Sequence, residues 1–80
     1  MKARVFVTLK PGVLDPQGKA IEGALRGLGF DGVSGVRQGK MIELDLAAIG
    51  EAEARAEAER MCERLLANPV METYRIELDG

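Results

Sequence analysis

Cys62 is the single cysteine of the chain and its one candidate nucleophile. Its neighbourhood argues against that role, because Ala54, Ala58, Met61, Cys62 and Leu65 recur at helical spacing and no histidine is present to act as a base. Free cysteine is among the most buried residue types, so the spacing predicts a core thiol. Glu51, Glu53, Glu57, Glu59 and Glu63 offer carboxylates in abundance, but they alternate with alanine and arginine along the same segment. That pattern describes a solvated, self-paired helix face rather than an acid/base pair or a ligand set. One thiol without histidine also leaves neither a zinc site nor a disulfide framework. No catalytic residue and no metal ligand is expected in this chain.

The loop KPGVLDPQGK, residues 10 to 19, has more to offer. Amides at a helix start, flanked by Lys10 and Lys19, attract anions. Asp15 stands at the N-cap position, however, where its carboxylate takes those amide hydrogen bonds and repels a phosphate. The spacing matches neither a Walker loop nor GxGxxG, so a strand-to-helix turn is the default reading.

The elements that position these residues follow from periodicity. ARVFVTL alternates, with Ala3, Val5, Val7 and Leu9 on one face and Arg4, Phe6 and Thr8 on the other, which predicts a strand. Pro16 suits the first helical position, and Ile21, Ala24, Leu25 and Leu28 form a stripe, so a helix is expected from about Pro16 to Leu28. Gly29 suits its left-handed closing position and Phe30 the contact that folds back on the last turn; Gly23 and Gly27 weaken the helix or admit another element closely. VSGVRQGKMIELDL, residues 33 to 46, is extended, with Ile42, Leu44 and Leu46 opposite Met41, Glu43 and Asp45. The alternation is clean only after Gly39, so the segment either kinks or turns in a hairpin near Gln38, Gly39 and Lys40, and the kink is favoured. Gly50 to Ala67 predicts a second helix, ended by Asn68 and Pro69. VMETYRIEL then alternates Val70, Tyr74, Ile76 and Leu78 against Met71, Thr73, Arg75 and Glu77, a last strand.

Together these give one domain, 1–80, of α+β class: a ferredoxin-like antiparallel sheet in the order β-α-β(β)-α-β, with two helices on one face. The other face carries Phe6, Met41 and Met71 among Arg4, Thr8, Glu43 and Arg75, apolar enough at its centre to predict self-association there. An 80-residue chain with 46% hydrophobic and 30% charged residues buries about 60–65% of its unfolded surface, which leaves stability marginal without a partner. A net charge of −2 with scattered basic residues gives no nucleic-acid footprint. No signal-like or membrane-spanning run is present, so neither membrane nor export is expected and the location is cytoplasmic.

The fold narrows the function. An acylphosphatase needs an arginine in the first loop, a metallochaperone a CxxC, and an RNA-recognition module aromatics across the open sheet; only Phe6 is obvious there. A partner-binding subunit or a small-ligand-binding regulatory module of the ACT kind remains.

Three ordered stretches, VFVTLKPGVLDPQGKAI, VRQGKMIEL and MCERLLANPVMETYRIEL, resemble the PurS family, the small subunits of phosphoribosylformylglycinamidine synthase. The resemblance covers nearly the whole chain, and only the alanine and glutamate richness of the exposed side of helix two departs from it. It implies a part in the fourth step of de novo purine synthesis, where formylglycinamide ribonucleotide, glutamine and ATP give formylglycinamidine ribonucleotide, glutamate, ADP and phosphate. It further implies a noncatalytic subunit, dimeric or tetrameric, that holds the glutaminase on the large synthetase subunit so that ammonia passes between them. ATP and magnesium then belong to the synthetase subunit. Within the shared motifs, Lys10, Asp15, Gln17, Gly18, Arg37, Gly39 and Lys40 lie on turns and are the expected partner contacts.

Overall fold

In the computed structural model, which describes residues 1–47 and 50–79, three strands and two helices follow one another in the α+β order expected. Strand β1, Lys2–Leu9, lies at the centre of an antiparallel sheet between β2, Gly39–Asp45, and β3, Glu72–Asp79. Register follows the alternation. Val5 stands between Ile42 and Ile76, Ala3 between Leu44 and Leu78, and Val7 opposite Tyr74, all on one face. Arg4, Phe6 and Thr8 take the other.

Helix α2, Glu51–Met61, lies over the inner face of β1 and β3. It approaches closely because the residues that meet the sheet are small: Ala54, Ala58 and Cys62 are fully buried against Val5, Val7, Ile76 and Ala3. A π-helical turn, Cys62–Leu66, ends the helix, and the Ala67 amide donates to the Cys62 carbonyl five residues back at 3.0 Å. The wide turn changes the stripe expected from sequence. Leu66 packs against the core and Ala67 is buried, whereas Leu65 is turned outward and left 83% exposed. A strict 3.6-residue period carries Leu65 inward; the wider turn, closed by a bond to the carbonyl five residues back, carries it out.

Helix α1, Pro16–Gly27, differs more from expectation. Its ends are as read: Asp15 caps it, Pro16 opens it, and Gly29, at φ +101°, closes it with the Phe30 amide donating to the Leu25 carbonyl at 3.1 Å. Its stripe, however, does not reach the sheet, so α2 alone covers the inner face. Ile21 is 40% exposed and Leu28 75%; the Phe30 ring is also mostly exposed, and the surroundings of Gly23 and Gly27 are open. The radius of gyration, 15.8 Å, exceeds the roughly 12 Å of a compact chain of this length, and the longest dimension is 49 Å. The helix is an arm.

The middle segment neither kinks nor turns back on itself. Strand β2 starts at Gly39, and residues 33–38 return beside α1, with the Val36 amide donating to Glu22 Oε1 at 3.3 Å. Gly39 marks the junction because a Cβ there would stand 2.5 Å from the Val7 carbonyl oxygen. At the last strand, Val70 and Met71 lie in the turn before β3 rather than in it, the Met71 carbonyl accepting from the Lys10 amide at 2.8 Å.

The close approach of α2 sets a measurable limit. Ala58→Leu inserts volume into a filled contact and should cost about 1–3 kcal/mol. Ala56→Leu, on the exposed side of the same helix, should change stability by less than about 0.5 kcal/mol. Urea unfolding of the two variants checks the pair, and equal losses would mean that the helix face is assigned wrongly.

Candidate functional site

The turn residues singled out from sequence come together at one end of the sheet, where β1 leaves it, α1 begins and β2 enters. Asp15 is the centre. Its Oδ1 accepts from the Gly18 amide at 2.8 Å, as an N-cap does, and its Oδ2 accepts from the Gln38 amide, also at 2.8 Å. One carboxylate thus joins the start of α1 to the residue before β2. Gly18 is buried beneath it, and a Cβ on that residue would fall 2.5 Å from the Val36 carbonyl oxygen and 2.7 Å from Asp15 Oδ2, so the returning segment passes only where no side chain stands.

Arg37 binds the other side of the junction. Its guanidinium donates to the Leu9 carbonyl at 2.8 Å, the Lys10 carbonyl at 3.0 Å and the Val13 carbonyl at 3.4 Å. A planar fork of donors suits a loop whose carbonyls converge, which a lysine cannot copy. Gln38 Nε2 donates to Gln17 Oε1 at 3.0 Å, and Lys10 Nζ reaches the Pro69 carbonyl at 2.7 Å. Asp15, Gln17, Gln38, Gly39 and Lys40 border a shallow depression of about 230 Å³ that Thr8, Leu9 and Glu72 complete. All seven expected contacts therefore belong to one junction. Asp15, Gly18, Arg37 and Gly39 hold it together, while Gln17, Lys10 and Lys40 line its outer surface.

The electrostatics agree with a structural carboxylate. Amide hydrogen bonds from Gln38 and Gly18 hold the Asp15 carboxyl below its ordinary value of 3.8, against the opposing effect of desolvation and with help from Arg37. Glu22 is lowered from 4.5 chiefly by the Val36 amide. An ionised, doubly occupied carboxylate leaves no opening for a phosphate at this helix start. Cys62 is fully buried, and burial, then Glu59 and Glu63, push its thiol up, opposite to what a nucleophile requires. Among the described residues no group of three or more acidic, thiol or imidazole side chains is placed to hold a metal, and no helix is long and apolar enough to cross a membrane.

On the open sheet face, Arg75 lies over the Phe6 ring at 4.3 Å and pairs with Glu77; Arg4 reaches Asp79 at 3.4 Å, and Lys2 reaches Glu43 at 3.8 Å. Met41 is opposite Phe6 in register and 48% exposed, while Met71, 46% exposed, stands off the strand. The apolar centre expected there is small and ringed by ion pairs. Sequence reading missed an apolar groove along the inner edge of β2 beside the π-helical turn, lined by Leu44, Met61, Leu65 and Leu66. Its signal was Leu65, exposed at the end of helix two beside Leu66, which a uniform helical period hides.

Comparison with known proteins places these features in a family. The family model described as PurS, phosphoribosylformylglycinamidine (FGAM) synthase, matches residues 2–80. The PurS subunit of phosphoribosylformylglycinamidine synthase from Synechocystis sp. is 53% identical over 75 residues, covering 94% of this chain and 75% of that protein. Crystalline PurS from Methanocaldococcus jannaschii, one of the subunits of formylglycinamide ribonucleotide amidotransferase, superposes with a TM-score of 0.86 at 45% identity, covering 95% of this chain and 92% of that one. A chain of the PurLQS structure from Thermotoga maritima matches with a TM-score of 0.87 at 36% identity, covering 95% and 93%.

The two lowered carboxyls predict an acid dependence. Because their folded values lie below the unfolded ones, their stabilisation is complete above about pH 4.5 and is lost as pH falls through the folded values. Between about pH 6 and pH 2.5 the urea midpoint of the native chain should fall further than that of Asp15→Asn/Glu22→Gln, in which asparagine still caps the helix. Parallel falls would show that the junction does not depend on these charges.

Proposed function

The chain belongs to the PurS family of phosphoribosylformylglycinamidine synthase subunits, and from that membership we propose that it joins the glutaminase to the synthetase so that ammonia passes between them. It is a subunit of the FGAM synthase of purine biosynthesis. The observation that carries the bridging role is the match of nearly the whole chain to PurS in a structure described as PurLQS. ATP and magnesium belong, in this reading, to the synthetase subunit, and the complex works in the cytoplasm.

The junction supplies the means. A subunit that positions two larger ones needs contact residues on backbone that does not yield, and the Asp15 and Arg37 hydrogen bonds hold the outer surface of this junction at both sides. Lys10, Gln17 and Lys40 present donors to a partner subunit there, and the depression beside them accepts a side chain from it. Arg37, occupied by three carbonyls, braces the surface from within. Asp15 and Gly18 contribute by fixing where α1 starts, and Gly39 by letting β2 begin against Val7.

The test separates contact from brace. Lys10→Glu/Lys40→Glu should keep the native urea midpoint yet lose co-elution with the synthetase and glutaminase subunits. Glutamine-dependent formation of formylglycinamidine ribonucleotide should fall at least tenfold, roughly the effect of one interface charge reversal. Ammonia-dependent formation by the synthetase should persist. Arg37→Ala should instead lower the urea midpoint. Full co-elution and full glutamine-dependent activity of the double lysine variant would overturn the assignment of this surface.

A further inference from the structure

Aspartyl and asparaginyl residues carry a reaction of their own. The backbone amide nitrogen of the next residue attacks the side-chain carbonyl carbon, and the cyclic imide that forms reopens through either of its carbonyls. The step needs a following residue with an N–H, an amide and a side chain free of other partners, and a backbone open enough to close the ring. A following glycine suits it best, because no Cβ crowds the attack. The sequence has two such pairs, Asp31–Gly32 and Asp79–Gly80.

At the other positions the fold withholds these conditions. Asp15 precedes Pro16, which has no N–H, and both of its oxygens hold amides. Asn68 also precedes a proline, and its Oδ1 accepts from the Val70 amide at 2.9 Å. The amide after Asp45 is that of Leu46, which donates to the Met1 carbonyl at 2.8 Å. Asp79 lies in β3 opposite Lys2, its Oδ2 accepting from Arg4 Nη1 at 3.4 Å. Asp31 differs on every count. It follows the cap of α1 in an exposed turn from Phe30 to Val33, which the Val33 amide closes by donating to the Phe30 carbonyl at 3.3 Å. Such a turn employs the amide of its last residue and leaves that of its third, Gly32, to solvent. Among the described residues neither the Gly32 amide nor the Asp31 carboxylate has a partner, and a Cβ at Gly32 would meet nothing within 4 Å.

We propose that Asp31–Gly32 is a modification site, where the folded chain converts an aspartyl link into an isoaspartyl one and so becomes a methyl acceptor for a carboxyl-repairing methyltransferase. Gly32 N bonds to Asp31 Cγ, and the hydroxyl of that carboxyl leaves with the amide proton as water. Water then adds at the Asp31 α-carbonyl and breaks its bond to Gly32 N. The main chain now runs through the β-carbon, the α-carboxylate stands free, and the mass is unchanged. A methyltransferase moves the methyl group of S-adenosylmethionine onto that carboxylate, and loss of methanol from the ester restores the imide. The turn absorbs the added methylene because nothing packs on it, so the bonds of the Val36 and Gln38 amides farther along stay made. Twelve residues of α1, about 18 Å, separate the site from the Asp15 cap, and it stands apart from the surface assigned to partner subunits.

Ageing the full chain for weeks in warm neutral buffer tests it. The tryptic peptide from Gly27 to Arg37 should divide into species of equal mass and different retention. The aged protein should also take labelled methyl groups from S-adenosylmethionine when isoaspartyl methyltransferase is added. Asp31→Glu closes a larger ring slowly, and Gly32→Ala adds a Cβ where the backbone is not left-handed and space is open. Each variant should keep the native circular dichroism and lose most of both signals. In the folded chain the peptide carrying Asp79 should isomerise severalfold more slowly than the one carrying Asp31; in urea, where the sheet no longer holds Asp79, the two rates should converge. A folded chain that forms no isoaspartate at position 31 would overturn the proposal. So would equal rates at the two sites in the folded state, or methyl incorporation undiminished in both variants.

Discussion

The double use of the Asp15 carboxylate is the interaction on which this structure turns. Each oxygen takes one amide, one from the helix it caps and one from the residue ahead of β2. An N-cap alone would set the start of α1 but not its direction. The second bond makes direction a consequence of strand register, since Gln38 immediately precedes Gly39, which pairs with Thr8. Arg37 then closes the same ring from the β1 side. Substituting neutral, single-acceptor chemistry at Asp15 would keep a helix and lose an angle.

The core explains why direction matters. Ala54, Ala58 and Cys62 allow α2 to lie close on Val5 and Val7, which gives dense packing but little apolar area. Small contact residues bring the backbone in; they do not supply much hydrophobic free energy, which scales with the area withdrawn from water. A single helix on three strands leaves β2 under-covered, and the π-helical turn widens the gap by presenting Leu65 to solvent. The chain therefore has less core than its composition would permit. Its remaining apolar side chains, on α1 and around Phe30, face outward.

Most of the architecture was legible in the residues because it depends on local rules. Alternation located the inner faces of β1 and β3, the Asp15–Pro16 pair located the start of α1, and the Asn68–Pro69 pair located the end of the second helical segment. The family motifs also gathered Lys10, Asp15, Gln17, Gly18, Arg37, Gly39 and Lys40 before the fold showed that they share one junction. What periodicity does not carry is the partner of an amphipathic face. The stripe of α1 fits a sheet equally well whether that sheet belongs to its own chain or to another, so its position could not be read. Residues 33–38 resisted for a related reason: the Val36 and Gln38 amides donate to the Glu22 and Asp15 carboxylates rather than to a strand, and side-chain alternation is silent about such bonds. Leu65 was misplaced because one wide turn shifts the phase of every later residue.

One junction therefore governs two surfaces. The side chains of Lys10, Gln17 and Lys40 stand at the base of the arm, and the α1 stripe lies along it, both fixed by the same few hydrogen bonds. Geometry is what such a junction contributes: it sets where its outer side chains and the arm stand relative to the sheet. In this fold the base of the arm and its direction share the Asp15 and Gly18 contacts. The hydrogen bonds of Asp15 and Arg37 set the angle between a helix and a sheet, and with it the placement of both surfaces.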